Sequence, residues 1–163
     1  MTKVFLTLHV LVAILAVGPI AVAASLFPRY ARQLAPAAPA IPEETPTPGN
    51  AAGIAAFLHR ICRGYAVFGI AVPVFGFATA AYLGVLTDIW LLVSIGLTGV
   101  AAVLLAMVIL PNQQRVLAAS GGAADGPPPP TASRLSMLTG VFNLLWAIVV
   151  VLMIIRPGST TGA

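Results

Sequence analysis

A chain of 163 residues with 60% hydrophobic and only 7% charged side chains cannot cover a soluble surface, which usually carries about 25% charge. Its net charge of +4 comes from arginines beside apolar runs, which reads as membrane orientation and headgroup contact and excludes a nucleic-acid surface. The single cysteine, Cys62, excludes an intrachain disulfide.

Four runs, Val4–Phe27, Tyr65–Leu86, Ile89–Leu110 and Met137–Ile155, contain no Asp, Glu, Lys or Arg. About 20 residues at ~1.5 Å rise cross a hydrocarbon core of ~30 Å. Lipid offers no partners to backbone amides, so each run is predicted to be a transmembrane helix. The expected fold is all-α: a polytopic membrane protein with one membrane domain over 1–163, built as a four-helix transmembrane bundle. Pro-rich loops are expected over about 28–56 and 111–134.

The first span follows Lys3 and contains Ala21-Val22-Ala23, a small-x-small pattern that resembles a signal-peptidase site. The run is longer than a usual signal core, so an uncleaved anchor is expected. Within it lies His9, an ionisable residue at membrane depth and hence a functional candidate. The bland alternative is a neutral imidazole bonded to a neighbouring helix. Gly18-Pro19 reads as a kink, and Pro28 as a helix end or kink.

The first loop carries Pro36, Pro39, Pro42, Pro46 and Pro48, with Glu43 and Glu44 between them, a spacing that favours extended chain. A helical lead-in over Ala55–Gly64 would put Phe57, Leu58 and Ile61 on one face. Cys62 lies between Arg60 and Arg63 and reads as a small interfacial residue; a thiol activated by the arginines and a palmitoyl site are the alternatives.

Span two carries Val72, Gly76, Ala80 and Gly84 at four-residue intervals, and span three carries Ser94, Thr98, Ala102 and Ala106 likewise. These read as two small-residue ridges that pack closely, Ala80 level with Ser94 and Gly76 with Thr98. Thr87-Asp88 is the only break between the two spans, a tight hairpin in which Asp88 is placed to cap the next helix and Trp90 sits at the interface. Pro73 removes a backbone bond within span two.

Pro111 ends or kinks span three, and a helical segment over Asn112–Ala119 is expected to continue past it as a short interfacial turn. The second loop holds Gly121-Gly122 and Pro127–Pro130. In span four, Asn143 is the most polar side chain and needs a partner; Trp146 is close by.

Arg29, Arg32, Arg60, Arg63, Arg115 and Arg134 flank the two long loops, whereas Lys3 and Arg156 flank the other face. The positive-inside rule therefore places the loops in the cytoplasm and both termini outside. A weak repeat relates Arg60-Ile61-Cys62 with Val67-Phe68 to Arg134-Leu135-Ser136 with Val141-Phe142, which suggests two tandem helical hairpins.

No motif fixes a reaction. His9 and His59 are predicted to lie near opposite faces, too far apart to share a haem, and no His neighbours a carboxylate. No catalytic, cofactor or metal residues are assigned, and no enzyme activity is expected.

The opening Lys3-Val4-Phe5-Leu6-Thr7-Leu8-His9, followed by Gly18, resembles the start of a bacterial family of predicted four-span membrane proteins of unknown function. That family is more distantly similar to the membrane domain of copper-resistance protein D. The closing Leu152-Met153-Ile154-Ile155-Arg156-Pro157 resembles its characteristic end. His9 is the polar position that carries over; the long proline-rich loops depart from the compact family pattern. The residues and the resemblance together give the expectation of a multi-pass bacterial inner-membrane protein. It would be an accessory or assembly subunit of a larger assembly, a respiratory chain complex first among candidates. Its expected partners are membrane lipids and other integral membrane subunits. The alternative is a small transporter or a copper- or haem-handling protein that uses His9.

Overall fold

The structure, a computed structural model, describes residues 2–34, 48–122 and 128–158. Among them every regular element is helical: α1 Thr2–Gln33, α2 Pro48–Phe68, α3 Ala71–Leu83, α4 Ile89–Val103, a π-helical segment Leu104–Ile109, α5 Leu110–Ser120 and α6 Ala132–Ile155. Four continuous paths, Lys3–Gln33, Asn50–Leu83, Ile89–Ser120 and Ala132–Ile155, are long and apolar enough to span a membrane. The chain is a multi-pass membrane protein with an all-α transmembrane bundle.

The first three paths contain 31, 34 and 32 residues. At ~1.5 Å per residue they run roughly 46–51 Å, well beyond ~30 Å of hydrocarbon. The short connection at Thr87-Asp88 fixes one face, so the excess length projects on the face of the long loops. Part of the chain expected as loop over 28–56 and 111–134 is therefore helical. Helix continues over Pro28–Gln33, resumes at Pro48, and covers Leu110–Ser120 and Ala132–Arg134. Pro36, Pro39, Pro42 and Pro46 lie outside the described residues.

Prolines are accommodated in three ways. Pro28 does not end α1; its missing N–H leaves the Ala24 carbonyl without its helical donor, and the Thr139 hydroxyl of α6 donates to that carbonyl at 3.4 Å. Pro73 breaks span two one turn earlier, at Gly69–Ile70. There Ile70 N–H donates to Val67 O and Val72 N–H to Gly69 O in tightened turns. Pro111 is preceded by the π-helical segment, whose wider turn gives Leu110 N–H the Leu105 carbonyl as acceptor.

α1 packs on α2, α3 and α6; α4 packs on α6; α5 packs on α2. Spans one and two thus form one pair and spans three and four another, joined through α1 and α6. The largest core lies toward the loop face, where Phe27 and Ala31 of α1 meet Ala55, Leu58 and Cys62 of α2, Val116 of α5 and Leu135 of α6. Leu58 is buried there, but Phe57 is 62% exposed, so the expected apolar face of the lead-in is rotated. A second core joins Ile20, Ala101, Leu105, Ile109 and Phe142, and a third, at the hairpin, joins Ala80, Trp90 and Leu91.

Candidate functional site

In an apolar bundle the polar side chains are the places where chemistry or recognition can occur. His9 of α1 bonds through Nδ1 to the Val72 carbonyl of α3 at 2.9 Å. A carbonyl only accepts, so Nδ1 carries the proton, and in the neutral ring Nε2 keeps its lone pair. The imidazole lies over Gly76: a Cβ there would come within 2.8 Å of His9 Cε1 and 3.1 Å of Nδ1. Phe5 stacks on Tyr82 with ring centroids 5.1 Å apart, a further contact between α1 and α3.

Gly76 therefore faces α1 rather than Thr98, which overturns the expected ridge pairing of spans two and three. α3 begins after the break at Gly69–Ile70 and packs on α1. The other ridge residues have separate roles. Ala80 is buried against Trp90 and Leu91, one turn nearer the hairpin than Ser94. Gly84 caps α3 in the left-handed conformation, φ +70°, with Gly84 N–H to Ala81 O and Val85 N–H to Ala80 O. Ser94 and Thr98 donate within their own helix, to Trp90 O and Ser94 O, both at 2.8 Å. Ala102 is exposed.

Asn143 finds a partner in α1, its Nδ2 donating to Ser25 Oγ at 3.0 Å. Its Oδ1 and the indole Nε1 of Trp146, three residues on, are buried with no partner among the described residues. Asp88 holds the N-cap position of α4 but makes no side-chain cap; its Oδ2 instead accepts from Trp90 Nε1 at 3.0 Å. The Arg156 guanidinium sits 5.6 Å from the centroid of a Trp90 ring, tying the end of span four to the hairpin.

The polar cluster that sequence reasoning missed lies toward the loop face. His59 Nδ1 meets Gln113 Oε1 at 3.0 Å, and Gln113 Nε2 donates to Cys62 Sγ at 3.8 Å. All three are buried, with Gln113 1% and Cys62 0% exposed. His59 and Cys62, three apart on α2, share a helix face, which was readable; that Gln113 would come to that face was not. The histidines are held apart: His9 of α1 is bonded to α3, and His59 of α2 to α5. Among the described residues no group of three or more His, Cys, Asp or Glu is placed to hold a metal ion.

A cavity of about 160 Å³ lies between the four spans, lined by apolar groups together with Thr98 and Trp146. Neither a protein-family model, nor a curated protein, nor a solved structure matches this chain.

Proposed function

We propose that the protein is an accessory or assembly subunit of a larger complex in a bacterial inner membrane, without catalytic chemistry of its own. A respiratory chain complex is the first candidate. The observation that carries this reading is the use made of the polar groups within the spans. His9, Thr139 and Asn143 join helices, and Ser94 and Thr98 bond within their own helix. The fixed tautomer of His9 favours the alternative, because a ring whose Nδ1–H is held by a carbonyl presents Nε2 as metal-binding histidines do.

Mild-detergent purification, with identification of co-purifying proteins and an absorption spectrum, separates the readings. The accessory reading predicts a defined membrane partner and no chromophore of the protein's own. A stoichiometric haem or metal band in the isolated chain would sink it.

The proposed orientation puts the six loop-face arginines in the cytoplasm and both termini outside. Native Cys62, being fully buried, is expected to resist maleimide in intact membranes. Thr87→Cys should then react with an impermeant maleimide added outside. Reaction from the cytoplasmic side alone would reverse the orientation, and rapid labelling of the wild type would contradict the burial of Cys62.

A further inference from the structure

α3 and α4 are the two legs of the hairpin at Thr87-Asp88, nearly equal at 13 and 15 residues. Both legs end in irregular backbone. At the foot of α3, Ile70 N–H bonds to Val67 O and Val72 N–H to Gly69 O, each three residues back, and Pro73 has no N–H to give. At the foot of α4 the chain passes into the π-helical segment Leu104–Ile109. In a regular helix each N–H ties its residue to the turn before, and that ladder resists bending. Both feet interrupt it, and tightened or π-helical turns inside a helix often mark functional hinges. The feet also share one depth. Gln113 bonds to His59 and Cys62, which sets the register of spans two and three. At ~1.5 Å per residue, Gly69 lies about 11 Å beyond Cys62, and Leu104–Ile109 lies about 6–14 Å from Gln113.

Beyond the feet, the hairpin is held from two sides. On α1, His9 donates to Val72 O at 2.9 Å and Phe5 stacks on Tyr82. On α6, the Arg156 guanidinium lies 5.6 Å from the centroid of a Trp90 ring, and Met153 packs against the core of Ala80, Trp90 and Leu91. That core also joins α3 to α4, so the two legs form one body. Ala101, buried against Ile20 and Phe142, lies one turn from the foot of α4, where a pivoting body moves least. Arg156 is the one non-glycine residue with positive φ among the described residues, at +45°. Left-handed backbone is strained for any residue with a Cβ and persists where its surroundings hold it.

We propose that Ala71–Val103 is a hinged flap. It pivots at Gly69–Ile70 and Leu104–Ile109, and it is latched by His9 on one side and by Arg156 on the other. The seat of the guanidinium on Trp90 holds the strained backbone of Arg156, and releasing either latch lets the hairpin swing away from α1 and α6. This inference stands apart from the accessory-subunit reading, and either can fail alone.

The test is a distance distribution between spin labels at Thr87→Cys, on the hairpin, and Leu11→Cys, exposed on α1, measured in bilayers by pulsed dipolar spectroscopy. Cys62 is buried and does not compete for label. One main distance is expected with both latches intact. Arg156→Gln and His9→Ala should each add a longer distance, and together they should make it dominant. Each single variant is read by itself, so the test does not depend on the double variant folding. Arg156→Gly relieves the backbone strain but removes the guanidinium, and it should open the flap as Arg156→Gln does. Pro73→Ala restores an N–H to the foot of α3 at an exposed position, so adding it to an unlatched protein should diminish the longer distance. Gln113→Leu, which disturbs the loop-face cluster and neither latch, should leave the single distance. An unchanged distance in both latch variants would overturn the proposal. So would a closed flap in Arg156→Gly beside an open one in Arg156→Gln, a longer distance that Pro73→Ala leaves untouched, or equal opening by Gln113→Leu, which would mean general loosening.

Discussion

Gly76→Leu is expected to destabilise the protein by about 1–3 kcal/mol, the usual cost of forcing volume into a filled contact. The three nearest atoms to a Cβ at this position all belong to the His9 ring, the closest at 2.8 Å. A leucine therefore pushes the imidazole off α3 and breaks its bond to Val72 O. Gly76→Ala should act the same way, but more weakly. The strain has one source, so removing the ring should relieve it: His9→Ala with Gly76→Leu is expected to recover part of the loss, a coupling of about 0.5–3 kcal/mol between contacting residues. Thermal unfolding of the four proteins in one detergent checks this. If Gly76→Leu melts like wild type, the α1–α3 contact is not as described. If the double variant shows no recovery, something other than His9 resists the leucine.

Gln113→Leu should have an effect of similar size by a different cause. Gln113 Nε2 faces Cys62, so Oε1 is the group that meets His59, and His59 Nδ1 is the donor. Leucine leaves that N–H buried without a partner, which costs about 1–3 kcal/mol. Replacing both partners by apolar groups leaves no such orphan, so His59→Leu with Gln113→Leu should be more stable than Gln113→Leu alone. The comparison is made by unfolding at one pH. A double variant no better than the single would mean that the cluster contributes through volume rather than through its hydrogen bonds.

The four spans were legible because charge is absent from them and hydrocarbon admits no unpaired backbone. Helix before span two and past Pro111 was legible too, but its continuation past Pro28 was not, because proline is a weaker stop where another helix supplies the missing donor. Pro28 is the example: Thr139, more than a hundred residues later, donates to the Ala24 carbonyl. The ridges of spans two and three show a second limit. Small residues every fourth position mark a face that admits close approach, but not which helix approaches it. Pro73 was legible as the loss of a backbone bond in span two; that α3 packs on α1 depends on tertiary contacts that no local pattern encodes. His9 was legible as an unusual residue, and its tautomer became so only with Val72 O beside it. The His59–Gln113–Cys62 cluster joins residues over fifty apart in sequence, so only its i, i+3 half on α2 was visible.

The central claim is that His9 holds helices together and performs no chemistry, and His9→Ala tests it most directly. The variant and the wild type are purified in mild detergent and compared for co-purifying membrane subunits, absorption spectrum and transport current. The account predicts the same partners, no spectral or transport difference, and a stability loss of about 1 kcal/mol, the scale of one interhelical hydrogen bond in a membrane. Loss of a cofactor band or of a transport current, with assembly intact, would contradict it.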